Sequence, residues 1–208
     1  ISGYRAGMDS RELRRLASEP GRSPEDLGVF AREIKNSDLK EAHYVSRLLV
    51  NDVHASGVQV TPVSQLHYLA HVDLTSKGEC AGLSNVMAWA IDQGKEDLLM
   101  QNLYRAAANP TDPKSARFIQ ELRDFQDTVG EKYTFHLGKP QAKTGYQDII
   151  NDLTNSPTSK TLRIGTKDHG MIAGIKVEGG RTSWFFYEPN SGMAKFTTLQ
   201  SMQEGMEK

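Results

Sequence analysis

The single cysteine of the chain, Cys80, lies in the stretch Lys77-Gly-Glu-Cys-Ala-Gly-Leu-Ser-Asn-Val-Met-Ala-Trp-Ala-Ile-Asp92. Leu83, Val86, Met87, Ala90 and Ile91 recur at helical spacing, with Gly78 and Glu79 at the start and Gly94 as a stop signal. A sulfur at a helix start sits beside the positive end of the helix dipole, which favours thiolate over thiol. A lone cysteine is more often a small buried hydrophobe. A nucleophile needs a base and an orienting acid elsewhere in the chain.

Both have candidates downstream. His169, in Lys167-Asp-His-Gly-Met-Ile-Ala-Gly-Ile175, falls at or just before a strand, and Gly170 leaves room beside the imidazole. Glu188 ends the segment Trp184-Phe-Phe-Tyr-Glu188, and a hairpin through Gly179-Gly180 would bring it near His169. Cysteine, histidine and acid in that order, on a helix start and two paired strands, follow the logic of nucleophile, base and orienting group. Asp168 is a further acid, but as the strand neighbour of His169 it should point to the other face.

Other groupings carry less. His67 and His71 are spaced to share a helical face, but no acid or cysteine completes a ligand set, so no metal is assigned. Gly179-Gly180 lacks a phosphate-loop context, and no cofactor is implied. Arg11, Arg14, Arg15, Lys35 and Lys40 are interspersed with acids and read as a solvated face. The net charge of −1 offers no field for nucleic acid. One cysteine excludes an internal disulfide and suits a reducing compartment. No apolar run is long enough to cross a bilayer and no signal-peptide pattern opens the chain. The start at Ile1 predicts a piece of a longer polypeptide.

The elements that must position these residues divide in two. The first part reads as helical: a short helix capped by Asp9 and broken at Pro20-Gly21, a second led by Ser23-Pro24, and a third opened by Ser37-Asp38 and ending at Gly57. Leu27, Phe30, Ala31 and Ile34 form one inward face, and Ala42, Val45, Leu48, Leu49 and Val53 the next. Val58–Val60 is short and limited by Pro62, and residues 63–71 suit a short helix. Two helices follow the cysteine helix: one with Leu98, Leu99, Leu103 and Tyr104, and one with Phe118, Ile119, Leu122 and Phe125 that ends at Gly130. After a short helix around Tyr146–Leu153, strands are predicted at Thr161–Thr166, Gly170–Val177, Ser183–Tyr187 and from Phe196, then a final helix. Helices first and an antiparallel sheet after give an α+β fold.

The helix-borne Gly78-x-Cys80-x-Gly82-Leu83-Ser84 with Trp89 downstream, the strand-start His169-Gly170, and aromatic-Glu188-Pro-Asn-x-Gly192 resemble the YopT-like cysteine proteases. These are papain-like domains of bacterial effectors and large multidomain toxins. The likeness covers about residues 58–197. It implies a papain-like α+β catalytic domain over residues 58–208, preceded by a helical extension over 1–57, with the cysteine helix packed on the antiparallel sheet. It implies Cys80 as nucleophile, His169 as general base and Glu188 as third member, where the family usually has aspartate. It implies a thiol protease that is part of a larger secreted toxin and acts on a protein in the host-cell cytosol, with no membrane insertion by this segment.

Papain-like enzymes also place an amide side chain a few residues before the cysteine, and here that window holds Asp73, Leu74, Thr75 and Ser76. Thr75, Ser76, the more distant Gln65 or the Cys80 N–H are the oxyanion candidates. Two other readings stay open at this point: an acyltransferase or deamidase using the same triad, and a weakly active module that binds a host protein.

Overall fold

The aromatic run Trp184–Tyr187 sends alternate rings to opposite faces of its strand, so both faces need cover. Helices supply it on each side. The computed structural model describes residues 2–53, 58–74, 76, 78–132, 145–154 and 156–207, with the side chains of 129–132 left aside. Its elements are α1 (Ser10–Ala17), α2 (Pro24–Val53), β1 (Val58–Pro62), α3 (Gln65–Val72), α4 (Cys80–Asp92), α5 (Glu96–Ala108) and α6 (Pro113–Lys132). They continue with α7 (Tyr146–Thr154), β2 (Lys160–Gly165), β3 (Gly170–Glu178), β4 (Arg181–Glu188), β5 (Gly192–Phe196) and α8 (Leu199–Met206). The strands form one antiparallel sheet in the order β1-β5-β4-β3-β2. Among the described residues no helix is long and apolar enough to cross a membrane.

One face of the sheet, through Ile172, Phe185, Tyr187 and Met193, packs on α3, α4, α5 and α6. The other, through Ala173, Ile175, Trp184, Ala194 and Phe196, packs on the end of α2 and on α7 and α8. The β3–β4 register pairs Ile172 with Tyr187 and Gly174 with Phe185. Gly174 is required by that pairing: a Cβ there would sit 2.2 Å from Phe185 Cζ and 2.7 Å from the Lys160 carbonyl oxygen. A third cluster joins Leu13 and Leu16 of α1 to Phe30 and Ile34 of α2.

Several expectations need correction. Residues 24–53 form one helix rather than two. Asp38 does not cap a helix start; its buried carboxylate instead accepts from Arg14 Nη2 at 2.8 Å, so nothing interrupts the turn there. Leu27, Leu48, Leu98, Tyr104 and Phe125, read as inward, are exposed. The α6 helix runs through Gly130 to Lys132, because a helical glycine lowers stability without ending the helix by itself. The last strand is Gly192–Phe196, ending at Phe196 where it was expected to begin, with β1 paired along its outer edge. Pro62 is tolerated because it ends an edge strand. The expected end at Gly57, and with it the boundary between residues 1–57 and 58–208, falls at residues 54–57, outside the described residues.

Replacing Gly174 by alanine should force the Phe185 ring off its seat and cost roughly 1–3 kcal/mol. A thermal or denaturant midpoint equal to wild type would contradict the close packing of these two strands.

Candidate active site

Cys80 is the first residue of α4, and the chain turns into that helix through Gly78, whose φ of +123° is one L side chains rarely adopt. Four N–H groups at a helix start need outside partners. The Gly82 N–H finds Gln126 Oε1 of α6 at 2.6 Å, and the Glu79 N–H finds Gln65 Oε1 of α3 at 2.8 Å. On the sheet side, Ser84 Oγ donates to the Gly170 carbonyl at 3.0 Å, fastening α4 to the start of β3. The space beside Gly170, read from sequence as room for a bulky group, faces the start of α4: a Cβ there would lie 3.7 Å from Ala81 Cα.

His169 directly precedes β3 and Glu188 ends β4, and the register that pairs Ile172 with Tyr187 brings the two side chains together. His169 Nε2 donates to Glu188 Oε1. The other carboxylate oxygen of Glu188 accepts from Ser191 Oγ at 2.9 Å. The imidazole also acts on the Cys80 thiol, lowering the thiol's pKa while its own is raised. Asp168 is exposed.

The electrostatics of the trio follow from these contacts. Burial by itself pushes the Cys80 thiol up. The hydrogen bond from His169, those involving the backbone of Gly170 and Ala81, and the imidazolium charge together bring it below the ordinary thiol value. His169 is pushed up to about 10 by its hydrogen bonds to Cys80 and Glu188, against an opposing effect of burial. A thiolate–imidazolium pair is therefore favoured between the lowered thiol value and about 10. The linkage sign follows. The stabilisation from the raised imidazole is complete below its ordinary 6.5 and is lost as pH climbs through about 10.

The three side-chain oxyanion candidates fare differently. Thr75, like Lys77, lies outside the described residues. Ser76 Oγ is occupied as an acceptor for the Gly78 N–H at 3.2 Å. Gln65 is brought to the cysteine turn, buried, with Nε2 donating to Asn190 Oδ1 at 2.8 Å and Oε1 holding the Glu79 N–H. It reaches there because its own N–H donates to the Pro189 carbonyl at 2.6 Å, docking α3 on the loop that follows Glu188. His67 and His71 lie with ring centroids 4.7 Å apart and planes tilted by 45°, and His71 Nδ1 lies 2.9 Å from the His67 carbonyl.

Ser191, Asn190, Gln126 and Glu79 were not singled out as functional from sequence. Ser191 and Asn190 belong to a Pro-Asn-Ser-Gly turn, whose composition signals only a turn. Glu79, next to the nucleophile candidate, is buried; desolvation raises its pKa to about 7, with Arg123 opposing and Asp73 and Asp127 adding to the rise.

A thiol opening a buried helix, coupled to an imidazole that a strand-end carboxylate holds on an α+β scaffold, defines a cysteine protease-like domain. The chain belongs to the Mcf1 protease effector domain family, matching its profile over residues 1–208. It is 25% identical over 232 residues to the multifunctional-autoprocessing repeats-in-toxin protein of Vibrio vulnificus, which covers 96% of this chain but only 4% of that protein. Its fold is similar to PatoxP, a cysteine protease-like domain of the Photorhabdus asymbiotica toxin PaTox. The TM-score is 0.65 at 17% identity, over 97% of this chain and 66% of that one. The molecule is thus a toxin effector domain with a cysteine protease-like fold.

Iodoacetamide should alkylate Cys80 in the native protein, at a rate that falls with pH as the thiolate is protonated. Replacing His169 by alanine leaves burial unopposed by the imidazole, so the thiol midpoint should rise. A titration unmoved by that change would show that the histidine does not govern the sulfur.

Proposed function

We propose that this domain is a thiol peptidase acting on a host-cell protein, with Cys80 as nucleophile, His169 as general base and acid, and Glu188 as the orienting group. The observation that carries the reading is the hydrogen-bond chain His169–Glu188–Ser191, with the imidazole acting on the Cys80 thiol at its other side. With Nε2 held by Glu188, Nδ1 is the nitrogen that exchanges a proton with the sulfur. The thiolate attacks the scissile carbonyl carbon, and the developing oxyanion is met by the Cys80 N–H at the helix start. Gln65 Nε2 carries a second hydrogen beyond the one given to Asn190, and that hydrogen completes the oxyanion site. His169 then protonates the departing amine, and water, deprotonated by the same imidazole, hydrolyses the thioester.

In the same proposal, residues 1–57 are an extension that braces the catalytic part, residues 58–208. Arg14 of α1 donates to the Leu74 carbonyl at 3.2 Å, ahead of the cysteine turn, and Ser46 of α2 donates to the Ser191 carbonyl at 3.0 Å. The domain would be delivered as part of a larger secreted toxin and work in the host cytosol, where a free thiol is chemically stable. Its membership of a toxin effector family supports that setting.

Host-cell lysate treated with wild type or with Cys80→Ala, compared by terminal-peptide mass spectrometry, tests the reaction. New termini that need Cys80 are expected. A Cys80-dependent mass shift without cleavage would instead mean acyl transfer or deamidation, and no change would mean a binding module. Replacing Glu188 by glutamine keeps shape but removes charge, and should slow turnover roughly tenfold to a hundredfold through a weakened imidazolium. Unchanged turnover would reduce Glu188 to a turn residue.

A further inference from the structure

Alongside the candidate nucleophile, the outermost strand β2 presents Thr161, Arg163 and Gly165 on the face shared with α4, since Arg163 pairs with Ile172 of that face. Gly165 lies opposite Gly170, and a Cβ at Gly170 would come into contact with the backbone of Cys80 and Ala81. Arg163 is two residues further along, about 7 Å at the rise of a strand. The strip between β2 and α4 leading away from the sulfur is therefore lined by small groups, Gly165, Gly170 and Ala81, and then by one guanidinium.

That guanidinium is unusually placed. Arg163 is half-buried, and desolvation lowers its pKa. Its Nε donates to Asn85 Oδ1, and Asn85 is itself buried and fixed by donating to the Ala81 carbonyl at 2.8 Å. Among the described residues no carboxylate lies within ion-pair distance, and the four terminal N–H groups of the fork have no partner. Arg14 and Lys195, partly buried as well, meet acids instead, Asp38 and Glu96. A desolvated guanidinium held by a neutral amide, with its fork free, is a receptor for a planar anion.

We propose that Arg163 is a specificity-determining residue that receives a substrate carboxylate, an aspartate or glutamate side chain on the second residue from the scissile bond. The reading rests on the peptidase function proposed above. An extended peptide repeats its side-chain direction every two residues, at the same 7 Å or so that separates Arg163 from the Gly165–Gly170 pair beside Cys80. The outer edge of β2 is unpaired by any strand among the described residues, so such a peptide finds main-chain partners there as well. Trp89, one helical turn beyond Asn85 on α4 and 59% exposed, offers an apolar surface further along the same side.

The test reads recognition without requiring turnover. Chloroacetyl-Gly-Asp-amide and chloroacetyl-Gly-Asn-amide alkylate Cys80 and differ only in a carboxylate, set two residue lengths from the attacked carbon. In wild type the Asp reagent should react roughly tenfold faster than the Asn reagent, the scale of one charge-assisted hydrogen bond. The ratio should fall to about one in Arg163→Gln and invert in Arg163→Glu, each ratio being internal to one protein and so insensitive to its folded fraction. A wild-type ratio near one, or one that persists in Arg163→Gln, would overturn the proposal. Lysate in which wild type generates no new termini would remove the peptidase function while leaving these ratios to be read. A native Cys80 that takes neither reagent would overturn both.

Discussion

The pairing of β3 with β4 is the constraint from which the rest of the site follows. His169 and Glu188 lie just beyond the paired segment, and their contact exists only because Ile172 faces Tyr187 and Gly174 faces Phe185. A slip of one residue would exchange the two faces of the strand. Trp184 would then leave the core formed with α7 and α8, and Tyr187 the one formed with α3 and α4. Large aromatic rings on both faces make that exchange costly, since each buries a large apolar area. The polar geometry is thus fixed by apolar packing, and the close fit of Phe185 over Gly174 removes much of the remaining freedom.

Within that frame the charge balance at the sulfur is a contest between burial and hydrogen bonding, and the hydrogen bonds win. The helices beyond the sheet hold the participating loops in place. Arg14 joins the buried Asp38 carboxylate to the Leu74 carbonyl, so one guanidinium ties α1, α2 and the loop that leads to Cys80. Gln65 ties α3 to both the cysteine turn and the loop after Glu188. Stripping a partner from a buried ion is strongly destabilising, which makes Arg14 a structural residue of the site although it touches no reacting atom.

Much of this was legible in the residues. The helix start at Cys80, the strand start after His169 and the strand end at Glu188 each rest on local signals: glycine punctuation, periodicity and β-branched or aromatic runs. The hairpin through Gly179-Gly180 supplied the one long-range link, and the register did as its alternation required. What sequence could not show were partners distant in the chain. Asp38 after Ser37 has the form of a helix cap, and only Arg14, packed from another helix, turns it into a buried mid-helix anchor. Leu48, Tyr104 and Phe125 fit amphipathic stripes, yet the stripe is wider than the surface available to cover it. Gln65 lies far outside the window where an amide before the cysteine would be sought, and it is the docking of α3 that delivers it.

The sheet order carries a consequence for how the molecule is made. Its earliest and latest strands are partners, Val58 lying against Phe196. The helix bearing Cys80 leaves the ribosome well before the strands that carry His169 and Glu188, and β1 waits for β5 with its inner edge unpaired. Non-local pairings of this kind close slowly, because the loop entropy must be met before the contacts form. A growing chain therefore presents the Cys80 thiol before the imidazole and carboxylate that meet it in the folded domain, and the sheet closes only when the last strand is seated against the first.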